Sequence, residues 1–171
     1  MSNLFETNLS GKTVAITGAS RGIGAETAKL FGQSGAKVAL LARSGADLKS
    51  VAGSIGEAAR AYPCDLGELY EIAPIFNKIK AELGHIDILI NNGALIAPIA
   101  RMGEADLDAW DNLMRVNVIG LFATTKACLP DMMARGVGTV INISSGAAKN
   151  AYEGWSAYCA SKAAVAMLTQ S

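Results

Sequence analysis

A doubly wound α/β fold, a parallel sheet with helices on both faces, is the architecture this chain predicts, and three observations carry it. Short β-rich apolar runs alternate with longer stretches of helical periodicity along the sequence. The first run ends in Thr17-Gly18-Ala19-Ser20-Arg21-Gly22-Ile23-Gly24, a glycine turn that opens onto a helical pattern. Each polar motif that stands out falls just after an apolar run or on an adjoining helix, where ligands gather in open parallel sheets.

Taken in order, Lys12 to Thr17 is a strand centred on Val14, Ala15 and Ile16, and from Gly22 onward Ile23, Thr27, Leu30 and Phe31 recur at helical spacing. The pattern then predicts a strand over 37–42, a helix over 46–55, a strand over 60–64, a helix over 70–83 and a strand over 86–91. Two helices follow, 104–116 and 118–134, then a strand over 139–144 and a last helix through Tyr158. Such alternation makes a parallel sheet. Right-handed crossovers and a ligand turn after the first strand favour the order 3-2-1-4-5, a Rossmann-type arrangement. With no repeat or low-complexity linker, the 171 residues read as one domain.

Composition narrows the function. The chain is 51% hydrophobic and 18% charged, which is globular, and its 15 basic and 15 acidic residues leave a formal net charge of zero. Without a basic run, the electrostatic footprint of a nucleic-acid binder is missing, so small neutral or weakly charged partners are expected. Met1 to Ser10 has neither a basic n-region nor an apolar core, and no apolar stretch approaches membrane-spanning length, so the expectation is a cytoplasmic protein without a membrane partner. Cys64, Cys128 and Cys159 lack a C-x-x-C pair and have one histidine for company, which indicates packed, reduced thiols and no metal site. That histidine, His85, sits in a loop entering a strand and reads as a turn residue.

The glycine turn has its own physics. Residues without Cβ let backbone amides approach a pyrophosphate, and the unpaired N–H groups and positive end of the following helix attract its charge. The spacing here is G-x-x-x-G-x-G, not the G-x-G-x-x-G of the usual dinucleotide fingerprint, but the physical requirement is the same. Far along the chain, Tyr158 and Lys162 stand four apart on a predicted helix and share a face. A phenol near its ordinary pKa of about 10 is a slow acid or base at neutrality, and a fixed ammonium nearby favours the phenolate. Cys159 adjoins Tyr158 in sequence but lies about 100° around the helix, so it is not a nucleophile by proximity.

These residues together resemble the short-chain dehydrogenases/reductases, in the branch that carries TGxxxGxG. The resemblance runs over nearly the whole chain: Thr17 to Gly24, Asp65-Leu66 after the third strand, Asn91-Asn92-Gly93-Ala94 after the fourth, Asn117 on a helix, Ile143-Ser144-Ser145 after the fifth, and Tyr158-x-x-x-Lys162. The family usually has N-N-A-G where this chain has Asn91-Asn92-Gly93-Ala94, a swap that keeps both residues small. The resemblance implies Ser145, thirteen residues before Tyr158, as the hydroxyl that meets developing negative charge on a carbonyl oxygen. It implies Asn117 as the asparagine that helps hold a water linked to the lysine, and Lys162 as a partner of the nicotinamide ribose as well as of Tyr158. The catalytic set is then Asn117, Ser145, Tyr158 and Lys162. The cofactor set is Gly18, Ser20, Arg21, Gly22, Ile23, Gly24, Arg43, Ser44, Asp65, Leu66, Asn92 and Gly93, with Tyr158 and Lys162.

The end of the second strand bears on the cofactor. A carboxylate there would bind the ribose 2′-hydroxyl of NAD, and a guanidinium suits the 2′-phosphate of NADP. The chain has Ala42-Arg43-Ser44, and Arg21 in the turn can approach the same phosphate, so NADP(H) is expected over NAD(H). Asp47 reads as a helix-start carboxylate. Asp65 is placed by the resemblance beside the adenine.

Ala163 to Ser171 is an apolar-faced helix still under way, without a glycine cap or a basic last turn. Family members continue past this point, so the expectation is either the N-terminal part of a longer enzyme, lacking the later strands and substrate loop, or a dinucleotide-fold fragment. The leading reading is an NADP(H)-dependent oxidoreductase acting on a small-molecule ketone or secondary alcohol, with Ile96 to Ile99, Tyr152 and Trp155 lining the substrate side. A non-catalytic dinucleotide-binding or scaffolding module, and an isomerase or dehydratase on the same scaffold, are the alternatives. The resemblance also implies a homo-oligomer, a dimer or tetramer, paired through the helices over 118–134 and around Tyr158.

Overall fold

Val14, Ala15 and Ile16 have no solvent-exposed surface, and the strand they centre, β1 (Thr13–Thr17), runs through the middle of the sheet. The computed structural model describes residues 8–171; residues 1–7, on which the reading of Met1 to Ser10 largely rests, lie outside the described residues. From β1 the chain passes through α1 (Gly22–Gln33), β2 (Lys37–Ala42), α2 (Gly45–Ile55), β3 (Ala59–Pro63), α3 (Leu69–Leu83) and β4 (Ile88–Asn91). The strands, with β5 (Thr139–Asn142), form one parallel sheet in the order β3-β2-β1-β4-β5, as the alternation predicts.

Side-chain alternation along these strands makes two apolar layers. Val14, Ile16, Val38, Leu40 and Ile90 pack with Ala28 of α1 and Leu48 of α2. Ala15, Ala39, Leu41 and Leu89 face the other way, against Ile72, Phe76 and Ile79 of α3 and Cys128 and Met132 of the fifth helix. Both faces of the central strands are covered, so β1 and β2 read as continuous apolar runs, as strands of buried parallel sheets do.

The two helices expected over 104–116 and 118–134 are one helical run, which corrects the sequence reading. It consists of α4 (Leu107–Met114), a π-turn (Arg115–Gly120) and α5 (Leu121–Arg135). Asp106 starts it three residues late, its Oδ1 accepting from the Ala109 N–H at 2.8 Å. Asn117 does not interrupt it, because the wider turn absorbs a residue whose side chain is pulled inward. Gly120 closes the turn against the third-strand loop, where a Cβ would stand 2.5 Å from the Leu66 carbonyl oxygen. The fourth and fifth strands are also shorter than the expected 86–91 and 139–144. Ile143 still donates its N–H to the Asn91 carbonyl at 2.9 Å, after which the chain turns through a short 3-10 segment (Gly146–Ala148) into α6 (Ser156–Gln170).

At the amino ends of the strands, Arg135 of α5 donates from Nη1 to Asp87 Oδ1 at 3.1 Å, from Nε to Asp131 Oδ2 at 3.1 Å and from Nη2 to the Ile86 carbonyl at 3.0 Å. The Thr13 N–H donates to the other Asp87 oxygen. Burial pushes the Asp87 carboxyl up, but the Thr13 amide, Arg135 and Lys12 together hold it below its ordinary range. His85 sits here, its Nδ1 2.9 Å from Asp131, at the end of the sheet opposite the glycine turn. Among the described residues, no helix is long and apolar enough to cross a membrane.

Near the carboxyl ends, buried Asn91 donates to Thr125 Oγ1 and to Asn142 Oδ1 and accepts from Thr124 Oγ1, tying β4 to β5 and α5. Removing it strands buried partners. Asn91→Ala is expected to lower the unfolding free energy by about 2 kcal/mol, seen as an earlier urea midpoint at unchanged slope.

Candidate active site

A cavity of about 760 Å³ opens at the carboxyl ends of β1, β2 and β4, where the strand order reverses direction. Its floor is the glycine turn, and that turn is locked to the fourth strand by a short set of bonds. Thr17 Oγ1 accepts from the N–H groups of Asn92 and Gly93 at 3.1 and 3.0 Å, and Asn92 Nδ2 donates to the carbonyls of Thr17 and Gly18 at 3.1 and 3.2 Å. The approach is so close that only glycine fits. At Gly18, whose φ is +65°, a Cβ would stand 2.7 Å from Gly93 Cα, and at Gly24 one would stand 2.3 Å from the Gly18 carbonyl oxygen.

The helix above this turn begins without a side-chain cap and without an acidic residue in its first turn. Its leading N–H groups and dipole therefore present an uncompensated positive end at the cavity. By contrast, Ser44 caps α2, its Oγ accepting from the Asp47 N–H at 3.3 Å. Arg21 and Arg43 both line the cavity and are exposed, and neither pairs with a carboxylate among the described residues. Two guanidiniums, a hydroxyl and a free helix end thus converge on one region, a set of donors suited to phosphate. Asp65 Oδ1 accepts from the Gly67 N–H at 2.9 Å, which orients that carboxylate at the far wall beside Leu66 and Cys64. Burial, with Glu71 and Asp65 adding, pushes the Cys64 thiol up to about 11, which makes it an inert wall.

Of the residues named in the sequence reading for the cofactor, Gly18, Ser20, Arg21, Gly22, Ile23, Arg43, Ser44, Asp65, Leu66, Asn92 and Gly93 line the cavity. Gly24 does not; it is buried behind the turn, where its missing Cβ lets α1 approach Gly18. Asp47 lines the cavity as well as starting α2, and Leu41, Ala42, Cys64, Ala94, Leu95 and Val116 line it without having been expected. The signal in the sequence for all but Val116, which lies in the π-turn, was only their position at or just after strand ends, since apolar residues there look like core.

Tyr158 and Lys162 do not line this cavity. Tyr158 lies in the first turn of α6, half-buried, with its ring edge-on to Trp155 at 5.7 Å between centroids, and Trp155 is 5.7 Å from Tyr152. Lys162 is only 5% exposed, donates to the Ile143 carbonyl at 2.7 Å and holds its Nζ 5.7 Å from the centre of the Tyr158 ring. One of its three ammonium donors is used there. Burial holds its pKa below the ordinary lysine value. Ser145 ends the β5 loop and its Oγ accepts from the Ala147 N–H at 3.2 Å, which leaves its own proton free to donate. Asn117 joins the two regions: its Oδ1 accepts from the Leu95 N–H at 2.7 Å, and its Nδ2 donates to the Leu95 carbonyl at 2.8 Å and to Ser161 Oγ at 3.0 Å.

Known proteins resemble this chain in sequence and fold. The sequence model described as short chain dehydrogenase matches residues 12–171. A D-threitol dehydrogenase from Mycolicibacterium smegmatis is 33% identical over 92% of this chain and 62% of its own, and a fatty acyl-CoA reductase from Acinetobacter baylyi is 39% identical over 95% and 56%. A crystal structure of a metagenomic short-chain oxidoreductase in complex with NADP superposes with a TM-score of 0.92 at 36% identity, covering 95% of this chain and 75% of that one. The chain spans little more than half the length of the curated relatives it matches.

Two measurements follow from this geometry. Gly24→Ala drives a methyl into the Gly18 carbonyl and is expected to weaken dinucleotide binding at least tenfold (about 1.4 kcal/mol or more), read by nicotinamide fluorescence. Lys162 is held below 10.5 in the fold and returns to that value on unfolding, so the unfolded chain binds more protons between the two values and stability rises with pH across that window. Denaturant melts should show the wild type gaining on Lys162→Met as pH climbs toward 10.5, with a constant gap below the folded value. A gap that stays flat throughout would remove the shift.

Proposed function

The chain belongs to the short-chain dehydrogenase family, and from that premise we propose that it forms the dinucleotide-binding domain of an NADP(H)-dependent oxidoreductase. The substrate is a small-molecule ketone or secondary alcohol. The observation that carries this reading is the cavity itself, in which an uncapped helix end and two guanidiniums without carboxylate partners converge at the end of β2. The cradle fits the group: glycines at 18 and 24 leave no room for Cβ, and the volume is that of a ligand site. Gly18, Ser20, Gly22 and Ile23 would hold the pyrophosphate against the start of α1, with Asn92 and Gly93 behind. Arg21, Arg43 and Ser44 would hold the 2′-phosphate, and Asp65 and Leu66 the adenine.

When bound, the nicotinamide supplies or takes up the hydride. Tyr158 Oη passes a proton to the substrate oxygen in reduction and recovers it in oxidation. Ser145 Oγ donates to that same oxygen as negative charge builds on it. Lys162, anchored by the Ile143 carbonyl, presents its remaining donors to Tyr158 and to a ribose hydroxyl. Asn117 helps hold the water through which the lysine exchanges protons with solvent. Ile96, Ile99 and Tyr152 are exposed, and Trp155 lies between Tyr152 and Tyr158, tilted to the first and edge-on to the second, which supports a substrate with an apolar flank. Exposed Phe122, Leu129 and Met133 on one face of α5 support pairing with a second copy. Three free cysteines accord with a reducing, cytoplasmic setting.

A second reading, cofactor binding without turnover, is favoured by one observation: none of Ser145, Tyr158 and Lys162 lines the cavity. Titration with each cofactor and turnover of a ketone panel separate the two. Arg43→Asp is expected to weaken NADPH binding by about ten- to a hundredfold through the lost charge-assisted bonds and to leave NADH binding nearly unchanged. Tyr158→Phe should reduce turnover by roughly 10²- to 10⁴-fold with cofactor affinity retained. Equal affinity for both cofactors would overturn the NADP(H) preference, and binding without turnover in the wild type would favour the second reading.

A further inference from the structure

Ser161 has no part in the proposed chemistry, yet it is the most deeply buried polar residue of α6, with no exposed surface. Its Oγ donates to the Tyr158 carbonyl at 2.8 Å and lies 3.0 Å from Asn117 Nδ2. A helical serine often bonds a carbonyl in its own preceding turn. What sets this one apart is the second partner, which comes from the π-turn. The directions of the bonds follow from the donors available. Leu95 presents one N–H and one carbonyl to the Asn117 amide, so the oxygen must face the first and the nitrogen the second. The remaining Asn117 proton can then go only to Ser161, which accepts it and hands its own proton to Tyr158.

Four hydrogen bonds thus make one joint among Leu95 in the cavity wall, Asn117 in the π-turn and the first turn of α6. An alanine at 161 would remove the two that involve Ser161 Oγ and would leave an Asn117 donor buried and unpaired. We propose that Ser161 is a positioning residue that registers the Tyr158–Lys162 turn against the dinucleotide cavity. The proposal rests on Tyr158 being the acid/base. Tyr158 and Lys162 both lie within four residues of Ser161, and Lys162 Nζ stands 5.7 Å from the Tyr158 ring, so loosening this turn alters the very separation on which the proton transfer depends.

Ser161→Ala tests this beside Val165→Ala, which thins the same buried face of α6 one turn on without touching the joint. For a misplacement on the order of 1 Å, Ser161→Ala should lower kcat about tenfold or more while KM and the NADPH dissociation constant stay within about threefold. The pH profile of kcat should change shape in Ser161→Ala as the separation of Tyr158 and Lys162 changes. Val165→Ala should lower the thermal midpoint and leave both readouts in place. Two variants that behave alike, or an unmoved pH profile and kcat in Ser161→Ala, would overturn the proposal. Turnover that survives Tyr158→Phe, or a wild type without turnover, would instead sink the acid/base reading, and loss of amide hydrogen-exchange protection in the first turns of α6 in Ser161→Ala would still report the joint.

Discussion

Everything at the ligand-binding end of this sheet depends on how closely the first and fourth strands approach as they leave it. Thr17 accepts two backbone N–H groups from Asn92 and Gly93, and Asn92 returns two bonds to the carbonyls of Thr17 and Gly18. That contact exists only because residues 18, 24 and 93 carry no Cβ. It closes the glycine turn from below and so leaves the start of α1 facing open space with its amides unsatisfied. A capping side chain at Arg21 would occupy these amides. α3 and α6 also start without a side-chain cap, whereas Ser44 and Asp106 cap α2 and α4; of the uncapped starts, that of α1 is the one at the cavity.

Neighbouring asparagines divide the work of building around that contact. Asn92 looks toward β1 and shapes the cavity, whereas Asn91, buried to 3% exposure, looks toward β5 and α5 and holds the sheet together. A third, Asn117, is held inside a helical run by a π-turn and reaches both edges of the Leu95 backbone. Each amide is nearly saturated, so buried polar groups here add direction to a core that apolar packing alone would leave interchangeable. Asn117 thereby bonds both Leu95 in the cavity wall and Ser161 in the helix that carries Tyr158 and Lys162.

Much of this was legible in the residues. The strand order and the glycine turn follow from periodicity, chain direction and the helix-end rule, because those depend on local geometry that repeats in every chain of this kind, whereas Asp65, Leu66, Asn92 and Gly93 were reached through the family resemblance. Helix starts were less legible: the run at 104 begins at Leu107 because Asp106, not Glu104, finds a free amide. The break expected at Asn117 is a π-turn, since the energy that bends the helix comes from Leu95 and Ser161, twenty-two and forty-four residues away.

The sequence by itself determined the architecture, the glycine turn and the candidate chemistry, because spacing along strands and helices obliges certain residues to share a face or a strand end. Only the tertiary structure decided that Thr17 and Asn92 lock the turn, that Gly24 serves from behind the cavity, and that Ser161 joins Asn117 to Tyr158. Hydrogen bonds between side chains distant in sequence leave no period to read. Their partners are chosen by which donors remain unsatisfied once the core has packed.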